Sequence, residues 1–214
     1  WASAGPRYAK PLLPVMIRLI LSFIARELEW GGMVQCSGEE AELGEVFRLD
    51  AKASNETVAI GGWRCRGRAR TVDAEWFAVE LTRRNAPWAF QKGESFLTIA
   101  SLELLGALVG LMVLVPEGDR ALRDGNGLLT LSCGTDNLGN TFLLDRLLTT
   151  KYPLGVVLME VAFQCRRRGL AFRANWVPRL ENQEADDLTN LDFKSFDPSK
   201  RIVVDLEGLD FGVM

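Results

Sequence analysis

The chain has 214 residues, of which 48% are apolar and 25% charged, and its formal net charge is −3. This composition excludes a disordered protein and favours one well-buried domain with appendages. The small negative charge excludes a general electrostatic attraction to nucleic acid, so any such contact needs local basic clusters. The four cysteines, Cys36, Cys65, Cys133 and Cys165, form no C-x-x-C pair. We therefore interpret them as structural thiols of an intracellular protein, not as a zinc knuckle or a disulfide framework.

Residues 11–30 predict one amphipathic helix that acts as a connector. Its apolar face is formed by Val15, Ile17, Leu19, Ile20, Phe23, Ile24 and Leu28. Arg18 and Arg26 interrupt the apolar stretch, which is too short and too charged to span a bilayer. Glycines and acidic residues then follow up to residue 44. We therefore predict a domain boundary there, with residues 1–43 forming a connector helix and linker.

Three short strands are predicted next, at residues 46–50, 57–63 and 74–82. Each run is rich in β-branched or aromatic residues. Short, turn-rich connections between them favour an antiparallel meander. Asp50 stands at the end of the first of these strands.

The most hydrophobic segment of the chain is residues 97–115, in which Glu103 is the single charged residue. Nineteen such residues are compatible with a transmembrane helix. The segment nevertheless ends at Pro116 without basic flanks and lies between strand-like runs. A helix buried against a sheet is also apolar on most faces, and this is the interpretation we favour.

An apolar run over residues 128–133 predicts a fourth strand, which breaks at Gly134 and places Asp136 at its end. Helical patterns at residues 140–150 and 153–168, a strand at 170–177 and a short helix at 182–190 complete the order βββαβααβα. We therefore predict an α/β fold with a mixed five-stranded sheet flanked by helices. Residues 191–214 are predicted to be an appended C-terminal tail.

Four acids on separate elements are candidates for one site: Asp50, Glu103, Asp136 and Asp186. A lone aspartate at a strand end is usually a turn former. A glutamate inside an apolar helix is different, because burying it is costly unless a cation or hydrogen-bond donors compensate. Mg²⁺ prefers hard oxygen ligands of this kind. The sequence therefore predicts a metal site.

The motifs around these acids carry a family resemblance. DAKAS at Asp50, SLELLGAL around Glu103, TDNLGN at Asp136 and WVPRLENQEADDLTN around Asp186 resemble a ribonuclease H domain of the kind attached to retrotransposon reverse transcriptases. The resemblance covers residues 44–190. It implies a ribonuclease H-like fold in which the four acids are catalytic and bind two Mg²⁺ ions, with Mn²⁺ as an alternative. It also implies that Asn182, four residues before Asp186, is a supporting group.

The resemblance further implies endonucleolytic hydrolysis of the RNA strand of an RNA–DNA hybrid, with a polymerase domain upstream in the same polyprotein and no membrane association. Candidate substrate contacts are Lys52, Arg166, Arg167 and Arg168. The chain departs from the family in two ways: the loop at residues 178–181 has no histidine, and the short separation of Asp136 from Asp186 predicts that the basic helical protrusion of some cellular relatives is missing. An inactive nucleic-acid-binding module and a membrane protein anchored by residues 97–115 are the alternatives.

Overall fold

A computed structural model describes residues 15–29, 41–54, 57–67, 69–90, 98–115 and 129–214. The helices and strands in chain order are α1 (Val15–Glu29), β1 (Ala41–Ala53), β2 (Val58–Arg64), β3 (Trp76–Glu80), α2 (Ile99–Val113), β4 (Leu129–Thr135), α3 (Leu138–Arg146), α4 (Leu154–Arg168), β5 (Leu170–Trp176) and α5 (Gln183–Thr189). The predicted order of strands and helices after α1 is confirmed.

The strands form one sheet in the order β3-β2-β1-β4-β5. β1, β2 and β3 pair antiparallel, whereas β4 is parallel to both β1 and β5. The predicted mixed five-stranded sheet is therefore confirmed. β1 is longer than predicted because its first residues pair with β4 across two register shifts. Gly44, where we predicted the domain boundary, lies within this irregular part of β1 and has a φ of +69°.

α2 lies against the sheet and is buried along most of its length, from Ser101 to Leu111. Gly110 permits the close approach, since a Cβ at this position would lie 2.4 Å from the Phe47 ring of β1. Within the described part of the chain, no helix is long and apolar enough to cross a membrane. The predicted buried helix is thus observed, although Leu97 lies outside the described residues.

α5 packs on the other face of the sheet. Gly61 of β2 pairs with Asp50 of β1, and its Cα approaches Leu188 of α5 so closely that an added Cβ would lie 2.7 Å from the Leu188 Cβ. Leu49, which precedes Asp50 in β1, points to the opposite face and contacts α2. The sheet is therefore covered on both faces, and α5 is brought directly over the end of β1 that carries Asp50.

Residues 191–214 pack against this domain instead of extending from it. Ile202 donates its backbone N–H to the carbonyl of Trp76 on β3 at 2.7 Å, and Phe196 is buried in a small aromatic cluster with Trp76. At the C-terminus, Glu160 of α4 is fully buried and accepts the backbone N–H groups of residues 212–214. The segment predicted as a tail thus contributes to the packed structure.

α1 covers less surface than its sequence pattern suggested. Leu19 and Phe23 are half-buried, but Ile17, Ile24 and Leu28 of the predicted apolar face are exposed. Residues 11–14 and 30 of the predicted helix, the predicted linker at 31–40, and Cys36 lie outside the described residues. The other three cysteines are free thiols, as predicted.

Candidate metal centre

Three of the predicted acids meet where β1 runs past the end of β4. Arg48 of β1 pairs with Gly134 of β4 in parallel register, so Asp50 lies level with Asp136, the first residue after β4. Glu103, in the second turn of α2, approaches the same point. One carboxylate oxygen from each of these three residues lies within 4.8 Å of the other two. The sheet register and the packing of α2 therefore create the cluster.

Glu103 is the most perturbed of these acids. Its side chain is buried, and this burial raises the pKa of Glu103 to about 8, with a further increase from the negative charges of Asp136 and Asp50. Hydrogen bonds from Asn137 and Thr135 act in the opposite direction on this pKa. The Thr135 hydroxyl donates to one Glu103 oxygen at 3.1 Å. A bound cation would cancel the repulsion and offset the cost of burying the negative charge.

Asp50 is perturbed in the same direction. Burial, followed by the charge of Asp136, raises the pKa of Asp50 to about 6, and a hydrogen bond from Thr189 partly offsets this. The Thr189 hydroxyl lies 3.0 Å from one Asp50 oxygen and is itself fully buried in α5. The two buried acids are thus each held by one threonine hydroxyl.

Asp186, the fourth predicted acid, lines the same cleft but lies outside the three-acid cluster. One of its carboxylate oxygens accepts from Asn190 at 2.7 Å, and the other lies 3.4 Å from an Arg179 guanidinium nitrogen. Lys52 reaches the same network because its ammonium group donates to Asn190 at 2.8 Å. The structure therefore holds Asp186 at the rim of the cleft through its own helix and the preceding loop.

Asn182, the predicted supporting group, fastens the start of α5 to β1. Its side-chain amide donates to the carbonyl of Leu49 at 2.9 Å, and it is almost completely buried. Its backbone carbonyl accepts the N–H of Asp186 at 3.1 Å. Asn182 thus links the backbone next to Asp50 with the turn that carries Asp186.

The predicted basic run lies elsewhere. Arg168 is buried and donates to the carbonyls of Leu111 and Val115 at the C-terminal end of α2. This end lies ~12–18 Å along the helix axis from Glu103. Arg168 therefore stabilises the end of α2, where unpaired carbonyls need donors, and its guanidinium is not directed at the acidic cleft.

The other two arginines of this run are also distant from the acids in the fold. Arg167 forms an ion pair with Asp210 at 2.6 Å. Arg166 lines a separate cavity of about 640 Å³ between α3, α4 and β5. Of the four predicted substrate contacts, only Lys52 lines the cleft with the acids.

Sequence reasoning did not identify several of the residues that surround the acids, among them Thr135, Trp176, Thr189 and Asn190. For three of these residues, their position in the sequence relative to a predicted acid could have indicated that they belong to the site. Thr135 directly precedes Asp136, while Thr189 and Asn190 follow Asp186 by three and four residues, the spacing that shares one helix face. Trp176 gave no local signal, because its indole N–H reaches the Asp136 carbonyl at 3.2 Å only through the pairing of β4 with β5.

The cleft has a volume of about 370 Å³, and its lining is mostly polar. Among the described residues, Lys52 and Arg179 are the cations that line it. Oxygen ligands of one Mg²⁺ ion lie ~2.1 Å from the metal, so they are ~3–4 Å apart. Carboxylate oxygens already within 4.8 Å of one another need only small side-chain rotations to meet this requirement. The donor set therefore fits a divalent cation.

Comparisons with known proteins give structural likenesses alone. No protein-family model and no curated protein matches the sequence. The N-terminal ribonuclease H domain of a Mycobacterium tuberculosis protein is 16% identical, with 72% of this chain and 94% of that chain covered and a TM-score of 0.44. A ribonuclease H1 from the archaeon Halobacterium salinarum is 15% identical over 73% and 98% of the two chains, with a TM-score of 0.40. A ribonuclease H1 isolated from compost by metagenomics, in its structure with an RNA/DNA hybrid, is 16% identical over 69% and 95% of the two chains, with a TM-score of 0.44.

Proposed function

We propose that this chain is a metal-dependent endonuclease of the ribonuclease H type, which hydrolyses the RNA strand of RNA–DNA hybrids as part of a retroelement reverse transcriptase. The main support is the cluster of Asp50, Glu103 and Asp136, whose oxygens lie within 4.8 Å of one another. The proposed reaction, and the polymerase domain expected upstream, come from the resemblance of the sequence motifs to ribonuclease H domains of retrotransposon reverse transcriptases. The proposed nuclease domain has residues 44–190 as its core, with β1 beginning at Ala41 and residues 191–214 packed against it. The residues before β1 would be its connector.

The acids have a defined part in this proposal. Asp50, Glu103 and Asp136 would hold Mg²⁺, or Mn²⁺ as an alternative, and Asp186 would complete the set for a second ion. The cations would activate the attacking water and neutralise charge on the phosphodiester. Thr135 and Thr189 each donate a hydrogen bond to one oxygen of a buried acid and so hold the carboxylates of Glu103 and Asp50 in place.

Substrate binding would use the cations of the cleft. Lys52 and Arg179 line it beside the acids, where they can hold phosphates of the duplex. Arg166 and Arg167 are not among the residues that line the cleft, so they would contact only a part of the duplex outside it. Recognition of RNA by shape and 2′-hydroxyl groups suits an open cleft of this kind.

The test is a cleavage assay on the whole chain with matched RNA–DNA, DNA–DNA and RNA–RNA duplexes. We expect cleavage of the RNA strand of the hybrid with Mg²⁺ or Mn²⁺ and none after chelation. Hybrid binding measured by fluorescence anisotropy without any cleavage would instead support the inactive nucleic-acid-binding module. Cleavage of all three duplexes alike would contradict the proposed specificity.

A further inference from the structure

α1 presents a continuous apolar stripe to solvent. Ile17, Leu21, Ile24 and Leu28 are 42, 50, 47 and 76% exposed. Their spacing of four, three and four residues places them along one line of the helix. Scattered exposed apolar residues are normal in proteins, but a contiguous stripe marks a binding surface.

The opposite face of α1 already has a partner. Leu19, Phe23 and Arg26 are half-buried on that side, and the Arg26 guanidinium lies 5.8 Å from the centre of the Phe163 ring on α4. Phe23 also lines a small cavity together with Leu158 of α4. α1 is therefore held on the domain by one face, which directs the stripe away from the domain.

We propose that this stripe is a self-association surface through which two copies of the chain pair their α1 helices antiparallel. The spacing of four, three and four reads the same in both directions. An antiparallel copy therefore places Ile17 against Leu28 and Leu21 against Ile24 around a two-fold axis between residues 22 and 23. Such an interface uses the same patch on both copies, as closed dimers do.

Charge complementarity selects the same arrangement. Arg18 and Glu29 lie on the same side of the stripe, about 100° and 120° around the helix from Ile17. In the antiparallel pair, Arg18 of one copy lies within ~3 Å, measured along the axis, of Glu29 of the other. In a parallel pair the same two residues are ~16 Å apart along the axis. Only the antiparallel pair brings these opposite charges together, and it does so twice.

The expected affinity is modest. Stable interfaces bury ~1,200–2,000 Å², and four apolar residues from each of two short helices fall below this range. We expect a dimer that forms at micromolar or higher concentration of the chain and dissociates on dilution. The surface is separate from the acidic cleft, so its existence does not depend on the proposed nuclease function.

Sedimentation equilibrium of the full chain over a concentration series tests the proposal. We expect the mass to rise from 23.8 kDa towards twice that value. Leu21→Asp and Ile24→Asp should each raise the dissociation constant by about tenfold or more, since they bury a charge in the pair. Val203→Asp is the matched control, because Val203 is 88% exposed outside α1 and should leave dimerisation unchanged. Circular dichroism and a thermal melt confirm that each variant is folded.

A charge exchange tests the orientation. Arg18→Glu and Glu29→Arg should each weaken the dimer, and the double variant should restore it, because the exchanged charges still meet. A chain that stays monomeric throughout the series, or a dimer that tolerates both aspartate variants, overturns the surface. A dimer that is lost in the aspartate variants but shows no rescue in the double variant overturns the antiparallel pairing.

Discussion

At the scale of single residues, the candidate metal centre depends on two buried carboxylates kept close to a third. Thr135 and Thr189 each donate one hydrogen bond, which only partly offsets the burial of Glu103 and Asp50. Asp136 is less buried, and its charge raises the pKa of both neighbours. The three acids therefore repel one another without a cation, so stability and metal binding are coupled at this point.

Replacing Asp136 by Asn should abolish Mg²⁺-dependent cleavage, because the amide has no charge to offer the cation. The fold should be kept, and the free energy of unfolding in EDTA should be unchanged or up to about 1 kcal/mol higher, since one repelling charge is removed. Cleavage assays and urea unfolding measure the two effects. A variant with near-normal activity would exclude Asp136 from the site.

The metal-free protein should become less stable as pH rises, because the carboxyl groups of Glu103 and Asp50 have raised pKa values in the folded state. The folded-state pKa of Glu103, about 8, lies above the ordinary value of 4.5, and that of Asp50 lies at about 6. The unfolded chain therefore releases these protons first, so stability falls from about pH 4.5 until both folded-state pKa values have been passed. Each unit by which a folded-state pKa exceeds the ordinary value corresponds to about 1.4 kcal/mol, so the combined loss should be several kcal/mol.

Thermal melts in EDTA between pH 4.5 and 8.5 measure this dependence. Glu103→Gln should remove the part of the decline above pH 6, and Mg²⁺ should reverse the decline in the wild-type chain. Identical pH profiles for the two proteins would show that Glu103 does not titrate as described.

At the scale of elements, the position of α5 decides whether Asp186 and Thr189 reach Asp50. The close contact of Gly61 with Leu188 sets how near α5 lies to β2, and Asn182 ties its first turn to β1. The end of α3 is also set by local backbone geometry. The helix ends at Arg146, earlier than predicted, because the following residue, Leu147, has a left-handed φ of 49°. Neither feature can be read from hydrophobic periodicity, which reports only which residues are apolar.

Gly61→Ala should push α5 away from the sheet. The new Cβ would lie 2.7 Å from the Leu188 Cβ, so we expect a loss of about 1–3 kcal/mol in unfolding free energy and reduced cleavage. Gly106→Ala in α2 is the control, because its Cβ would meet its nearest neighbour at 3.5 Å and alanine favours a helix by ~0.8–1 kcal/mol. Urea unfolding of both variants checks this, and equal stability would contradict the close packing of α5.

At the scale of the whole molecule, residues 191–214 close the structure. The Trp76 indole donates to the Asp197 carbonyl at 2.8 Å, and Arg201 lies 5.2 Å from the centre of the Trp76 ring. The backbone N–H groups of residues 212–214 donate hydrogen bonds to the carboxylate of the fully buried Glu160. This segment thus joins the outer strand of the sheet to the helix layer on one face.

A chain that ends at residue 190 should fail to fold cooperatively. It would expose the aromatic cluster around Trp76 and leave the Glu160 carboxylate without its backbone partners, which costs several kcal/mol of the ~5–15 available. Glu160→Gln is the milder variant and should lose about 1–3 kcal/mol. Circular dichroism and urea unfolding measure both. A truncated chain with native stability would return this segment to the role of an appended tail.

The sequence by itself was sufficient to predict the order of the helices and strands, the burial of α2 and the three acids, Asp50, Glu103 and Asp136, that form the cluster. Apolar periodicity reports local structure, and Glu103 stands out because a charge inside an apolar helix is costly. Only the tertiary structure decided that Asp186 lies at the rim, that Arg168 serves the end of α2 and that residues 191–214 pack on the domain. Each of these depends on contacts between segments far apart in the chain, which local patterns do not encode.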